Sequence, residues 1–412
     1  MINFRMLKLS DPAVWLAVGG LLLFGFLAIF SATYRLQIKI GADPFTYVIR
    51  QFLALLVAGA GISFFAYLDY RHLQKAAAVL YGLTLVLLLV VLFGGAAASG
   101  AQRWIALGPL SFQPSELSKL TLIIILAAFL AQRQKVSGLW ETGIMLALVG
   151  LPFLMIFKQP DLGTALVFIA IFVGMLAQAE SSPRLLILLV TPFLSVLLRP
   201  ILPLWLAYLA VLVLVLFLTR AEWLDWLLVL GVNIGVGVAV PYMWAMLKGY
   251  QQNRIIAFLN PAADPYGAGY HTMQSKIAIG GGGLFGKGFL HGSQTQLQFI
   301  PEQHSDFIFS VIGEEFGLLG SLLVVALFGV LIWRALVIAD GARDRFGKML
   351  ASGVAVMLVF HVLANIGMAL GLLPVVGIPL PLLSYGGSSL FMTLAALGIL
   401  QSVAMRRHKL IF

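Results

Sequence analysis

About ten apolar stretches follow one another along the chain, most of them near the roughly twenty residues that cross about 30 Å of hydrocarbon as a helix. They fall near 13–31, 47–66, 74–94, 118–132, 142–157, 162–179, 223–246, 306–333, 349–371 and 388–405. Composition leaves no soluble alternative, because 61% of the 412 residues are hydrophobic and only 10% are charged, against roughly 25% charged in soluble domains. The expectation is an all-α polytopic membrane protein, a single integral domain over 1–412. Two further apolar runs, 185–198 and 201–219, are separated by Arg199-Pro200 and predict an inserted membrane hairpin over 185–219, whose first run is short enough to be re-entrant. The first apolar segment reads as an uncleaved anchor, given the spans that follow it. With no cysteine there is no disulfide, thiolate nucleophile or Cys-based zinc site.

The net charge of +10 would suggest nucleic acid in a soluble domain, but here it reports topology and implies no nucleic-acid partner. With the N-terminus inside, the inner loops carry 15 Lys and Arg and the outer loops 11, four of which lie in one long loop. Both termini are therefore expected in the cytoplasm, and the loop over 247–305 outside. Loops of that length are functional or disordered. This one contains Phe258, Leu259, Tyr266, Tyr270, Leu284, Phe285, Phe289 and Phe299, too apolar a set to stay solvated, so it is expected to fold back onto the helix ends.

Ionisable residues beside apolar spans are functional candidates. Glu116 and Lys119 are three residues apart on a helix expected to begin near Ser115, preceded by Arg103. The plain alternative is a capped helix start with an internal ion pair. Lys158 and Asp161 lie between two spans, where Asp161 also suits a helix cap. Asp264 opens Asp-Pro-Tyr-Gly, a favoured type I turn, and is equally a candidate acid or base. Gly281, Gly283 and Gly286 spell a dinucleotide fingerprint, and Gly281 to Lys287 nearly a phosphate loop, but Gly288 stands where Ser or Thr is required and no strand precedes. Those glycines are expected to admit close backbone or head-group approach. His271, His291 and His304 match no metal-ligand spacing.

RWIALGPLSFQPSELSKL at 103–120, KQPDLGTA at 158–165, NRIIAFLNPAADPYGAGYHTMQSKIAIGGGGLFGKG at 253–288, QLQFIPEQHSDFIFSVIGEEFG at 296–317 and GIPLPLLSYGGSS at 377–389 together resemble the SEDS family of bacterial wall synthases. The GIPLP wording before SYGGSS is most similar to its elongation branch, rather than the septal or sporulation branches. The resemblance implies a bundle of about ten transmembrane helices, from which the 185–219 hairpin is a departure. It implies a peptidoglycan glycosyltransferase that polymerises lipid II into β-1,4-linked glycan on the outer face of the bacterial inner membrane, serving elongation and rod shape. Its partners would be lipid II and the growing glycan-lipid, surrounding membrane lipid, a class B penicillin-binding transpeptidase and the MreB-associated elongation complex. By motif, Asp264 corresponds to the family's essential acidic residue, and Glu116 and Lys119 to important polar positions. Arg103 lies in the same block, and Asp161 and Ser384 in other matching blocks.

The donor carries its own leaving group, a lipid pyrophosphate, so one carboxylate base with cations suffices where a glycosidase flanks its bond with two. Asp264 is the expected base. Arg103 and Lys119, backed by Lys158 and Lys276, are the expected phosphate cations. A divalent cation, Mg or Mn, bridging the pyrophosphate is compatible with this chemistry, although no ligand set announces it. The competing readings are a lipid II flippase, the septal branch of the same family, and a structural scaffold.

Overall fold

The computed structural model describes residues 9–94, 96–98, 101–107, 110–133, 139–159, 161–179, 183–220, 222–247, 249–259, 268–300 and 302–407. It is a helical bundle, as the apolar spacing predicts. In chain order the helices are α1 (Pro12–Lys39), α2 (Thr46–Tyr67), α3 (Tyr70–Gly94), α4 (Pro114–Ala131), α5 (Leu139–Lys158), α6 (Leu162–Gln178), α7 (Pro183–Leu198) and α8 (Leu202–Leu218). They continue with α9 (Trp223–Met246), α10 (Gly249–Leu259), α11 (Ala268–Gly281), α12 (Ser293–Gln296), α13 (Ile308–Asp340), α14 (Arg345–Ala369) and α15 (Gly387–Arg406). Nine of them are long and apolar enough to cross a membrane, while α6, α7 and α8 are apolar but shorter. At 17 residues, α6 still reaches about 25 Å. Helices α4, α14 and α15 are buried along most of their length, whereas α2, α3 and α9 turn broad apolar faces outward, which is the division between bundle centre and lipid-facing rim.

Polar side chains tie one end of the bundle together. Asp11 caps α1 by accepting from the Ala13 amide at 3.1 Å, and its second oxygen accepts from Arg334 Nε of α13 at 3.0 Å. Gln401 of α15 bonds both the amide and the carbonyl of Asp11, at 2.9 and 3.0 Å. Asp344 caps α14 through the Gly347 amide and accepts from the Tyr70 hydroxyl, both at 2.8 Å. The start of α1 and the ends of α13 and α15 therefore share one face. Helix direction alternates from there, so the turns after α1, α3, α5, α9 and α14 gather at the opposite end, where the candidate site lies.

Within the expected hairpin, α7 and α8 pack on each other and on α9. Asn233 of α9 is fully buried, donates to Thr191 Oγ1 at 2.9 Å and accepts from Ser195 Oγ at 2.9 Å and the Tyr208 hydroxyl at 3.1 Å. Such a satisfied network holds three apolar helices in one register where apolar packing alone would let them slide. A short antiparallel meander not expected from the sequence, β1 (Ala96–Ala98), β2 (Ala101–Leu107) and β3 (Leu110–Phe112), folds over the ends of α3 and α4, with Ala96 opposite Trp104 and Ile105 opposite Phe112.

The glycine-rich run 281–288 has a defined structural task. Helix α13 breaks at Gly317 (φ 64°, ψ −160°), a conformation open essentially to glycine alone. The break frees the carbonyls of Glu314 and Glu315 and the amides of Leu318 and Leu319. Lys287 N donates to Glu314 O at 3.0 Å and Gly288 N to Glu315 O at 3.1 Å, while Leu318 N and Leu319 N donate to the carbonyls of Gly283 and Leu284 at 2.9 and 3.2 Å. These four groups are thus re-paired, as an apolar setting demands. The glycines admit backbone to backbone, one of the two uses expected of them. A Cβ on Gly286 (φ +83°) would collide with the Glu315 carbonyl, so Gly286→Ala is expected to cost about 3 kcal/mol, read as a lowered Tm of the purified protein in detergent.

Candidate active site

Pro114 at the first position starts α4, and Gln113 occupies the cap without a capping side-chain bond; Ser115, expected as the start, contributes no cap. One turn on, Lys119 Nζ lies 2.8 Å from Glu116 Oε1, and both side chains are almost fully buried. The internal ion pair anticipated from the spacing is present. It has a third member, since Lys119 Nζ is also 3.1 Å from His361 Nε2 of α14. These three residues line a small cavity with Leu120, Met357, Pro381, Met392 and Thr393. Its interior offers about 10 Å³ to the centre of a water-sized sphere, room for a single water.

Asp161 caps α6, accepting from the Thr164 amide at 3.2 Å and hydroxyl at 3.1 Å, and its Oδ2 also accepts from Gln113 Nε2 at 3.3 Å. The capping alternative is therefore realised, and the same carboxylate ties α6 to the start of α4. Ser384 is buried. It accepts from Leu380 N at 2.8 Å and donates to Ser305 O at 2.6 Å, joining the turn after α14 to the segment before α13. Asn365 makes the neighbouring link, donating at 2.8 Å to both Asp306 O and Ile378 O. Lys158 ends α5 and Lys276 sits on α11; both are exposed, and Lys276 lies against Gly371. The backbone of Arg103 runs on β2, but its side chain, like the whole of Asp264, lies outside the described residues. The described site thus joins Glu116 and Lys119 to His361, and Asp161 to Gln113.

Two site residues escaped the sequence reading. His361 stands inside an apolar span, which by the rule applied to Glu116 already marks a candidate. Asp306 lies in the quoted HSDF run. Its carboxyl is pushed up to about 6 by burial and by the nearby Glu302 charge, an effect that Arg254 partly offsets. Because the folded form keeps its proton above the ordinary carboxylate range, stability should fall as pH rises from about 4 to 6 and level off above. Asp306→Asn should flatten that slope in melting curves taken across the window. Beside it, His304 packs edge-on against Tyr47 and tilted against Tyr385, with ring centroids 5.1 and 5.6 Å away, and burial lowers its basicity.

A family model described as "Cell cycle protein", named for FtsW, RodA and SpoVE, matches residues 12–210 and 181–409. The chain belongs to the FtsW/RodA/SpoVE family. Within that family it is similar to the peptidoglycan glycosyltransferase MrdB of Escherichia coli K12, 38% identical over 97% of this chain and 95% of that one. RodA of Treponema pallidum, also named a peptidoglycan glycosyltransferase, is 36% identical over 82% of this chain and 85% of its own. Among solved structures, a chain from a study of polymerization and crosslinking by a peptidoglycan synthase complex superposes with a TM-score of 0.70 at 31% identity, covering 97% of this chain and 99% of that one. Thermus thermophilus RodA gives 0.64 at 27% identity, over 97% and 98%. The family is the one to which the five sequence blocks pointed.

Proposed function

We propose that this protein is a peptidoglycan glycosyltransferase that polymerises lipid II, with the reaction at the bundle end holding the Glu116–Lys119 pair. The observation carrying the activity is end-to-end similarity to proteins named for it, at 38% identity over 97% of the chain. The geometry is compatible with this chemistry: that end gathers the α4 start, the exposed Lys158 and Lys276 and the two segments flanking Asp264.

In the proposed reaction the Asp264 carboxylate takes the proton of the attacking 4-hydroxyl. That oxygen bonds the anomeric carbon of the donor as the bond to the lipid diphosphate breaks, so the α-linked centre inverts to β. The leaving diphosphate takes the electron pair, and Lys119, Arg103, Lys158 and Lys276 are the cations assigned to its charge. Among the described residues no group of three or more His, Asp or Glu side chains is placed to hold a metal ion; a Mg or Mn ion, where bound, would supply further neutralisation of the diphosphate charge. The isoprenoid chains occupy lipid beside the bundle.

We place both termini in the cytoplasm and the active site on the outer face, on the excess of Lys and Arg at the terminal face. We also assign the elongation role and MreB-associated machinery, with a penicillin-binding transpeptidase as partner. The partner assignment is supported by the solved relative from a complex that polymerises and crosslinks. The test is purified protein, alone and with a class B transpeptidase, given lipid II in proteoliposomes. Glycan strands resolved on a gel support the proposal; lipid II that crosses the bilayer without being joined would assign a flippase instead.

A further inference from the structure

His361 is a buried imidazole inside a membrane-length helix, touching a lysine that already has a carboxylate partner. Its Nδ1 lies 2.8 Å from Met357 O, one turn back on α14. A carbonyl can only accept, so Nδ1 carries the hydrogen and Nε2 presents a lone pair. Lys119 Nζ, 3.1 Å from that nitrogen, must therefore donate to it. The ammonium has three hydrogens in tetrahedral array: one serves Glu116 Oε1 at 2.8 Å and one His361 Nε2. The third serves neither partner, and all three residues line one cavity.

We propose that His361 is a positioning residue for the transferase reaction, orienting the Lys119 ammonium by accepting a hydrogen bond at Nε2. Glu116 alone would leave Nζ free to turn about a single contact; the imidazole, anchored through Met357, removes that freedom. The arrangement requires the neutral ring, because a proton on Nε2 would replace the hydrogen bond with two cations in contact.

The inference rests on the assignment of Lys119 to diphosphate charge, so the experiment separates the two. Polymerisation of lipid II by reconstituted Lys119→Met, His361→Leu and His361→Gln is compared with wild type, with folded fraction read from the Tm in detergent. His361→Leu keeps the bulk and loses the acceptor, and should cost between about 10- and 100-fold in kcat. His361→Gln restores an acceptor oxygen and should recover most of that loss, which a packing role would not predict. If His361→Leu does not fold, His361→Asn, whose amide is one methylene too short to reach the Lys119 ammonium, takes its place beside His361→Gln. An active Lys119→Met overturns the lysine assignment and the inference with it. An inactive Lys119→Met beside a folded, fully active His361→Leu overturns the inference alone, as does a folded His361→Gln that polymerises no faster than the variant lacking the acceptor.

Discussion

Asp264→Asn should reduce lipid II polymerisation by about 10²- to 10⁴-fold while leaving the protein folded, the range for loss of a general base. The amide is nearly isosteric with the carboxylate and keeps the turn preference of Asp-Pro-Tyr-Gly, since Asn and Asp both suit its first position. What it loses is the ability to take a proton. The effect should fall on kcat, because proton removal belongs to the bond-forming step and the lipid and diphosphate still have their contacts. The segment carrying Asp264 is bounded by α10 with Arg254 and α11 with Lys276. A purified Asp264→Asn variant polymerising at more than about a tenth of the wild-type rate would be incompatible with a base at this position.

How much of this was legible in the sequence follows from the distance over which each interaction acts. The places of the membrane-length helices came from apolar run lengths, a local property. The Glu116–Lys119 pair and the Asp161 cap were equally readable, because three-residue spacing on a helix and a carboxylate ahead of one are local geometry. The glycines of 281–288 could be given a use but not an address. Their partner is a break in α13 some thirty residues away, visible only once both segments are superimposed in space. His361 meets a lysine 242 positions earlier, and no periodicity relates the two. Ser384 carried a motif without a contact; its hydroxyl joins two turns from 79 positions apart. The meander over 96–112 escaped because its strands are three to seven residues long and carry five alanines against a single β-branched residue, Ile105.

Lys119→Met should remove polymerisation and also destabilise the protein, and a second substitution separates the two effects. The single change leaves the Glu116 carboxylate buried with its cation gone, a situation that costs about 3–5 kcal/mol. Glu116→Gln alone leaves the ammonium with His361 Nε2 but no counter-charge, and should destabilise for the same reason. Combining them removes both charges at once, and replacing a whole buried pair is close to neutral for stability. The Glu116→Gln/Lys119→Met protein should therefore melt closer to wild type than either single variant, a coupling of a few kcal/mol in the double-mutant cycle. Its polymerisation should remain lost, because restoring the fold does not restore a cation for the diphosphate. If activity instead returned with stability, the pair would be a structural joint between α4 and α14, and the charge on the leaving group would fall to Arg103, Lys158 and Lys276. Stability and catalysis thus predict opposite outcomes for one protein, which a melting curve and a glycan gel on the same preparation distinguish.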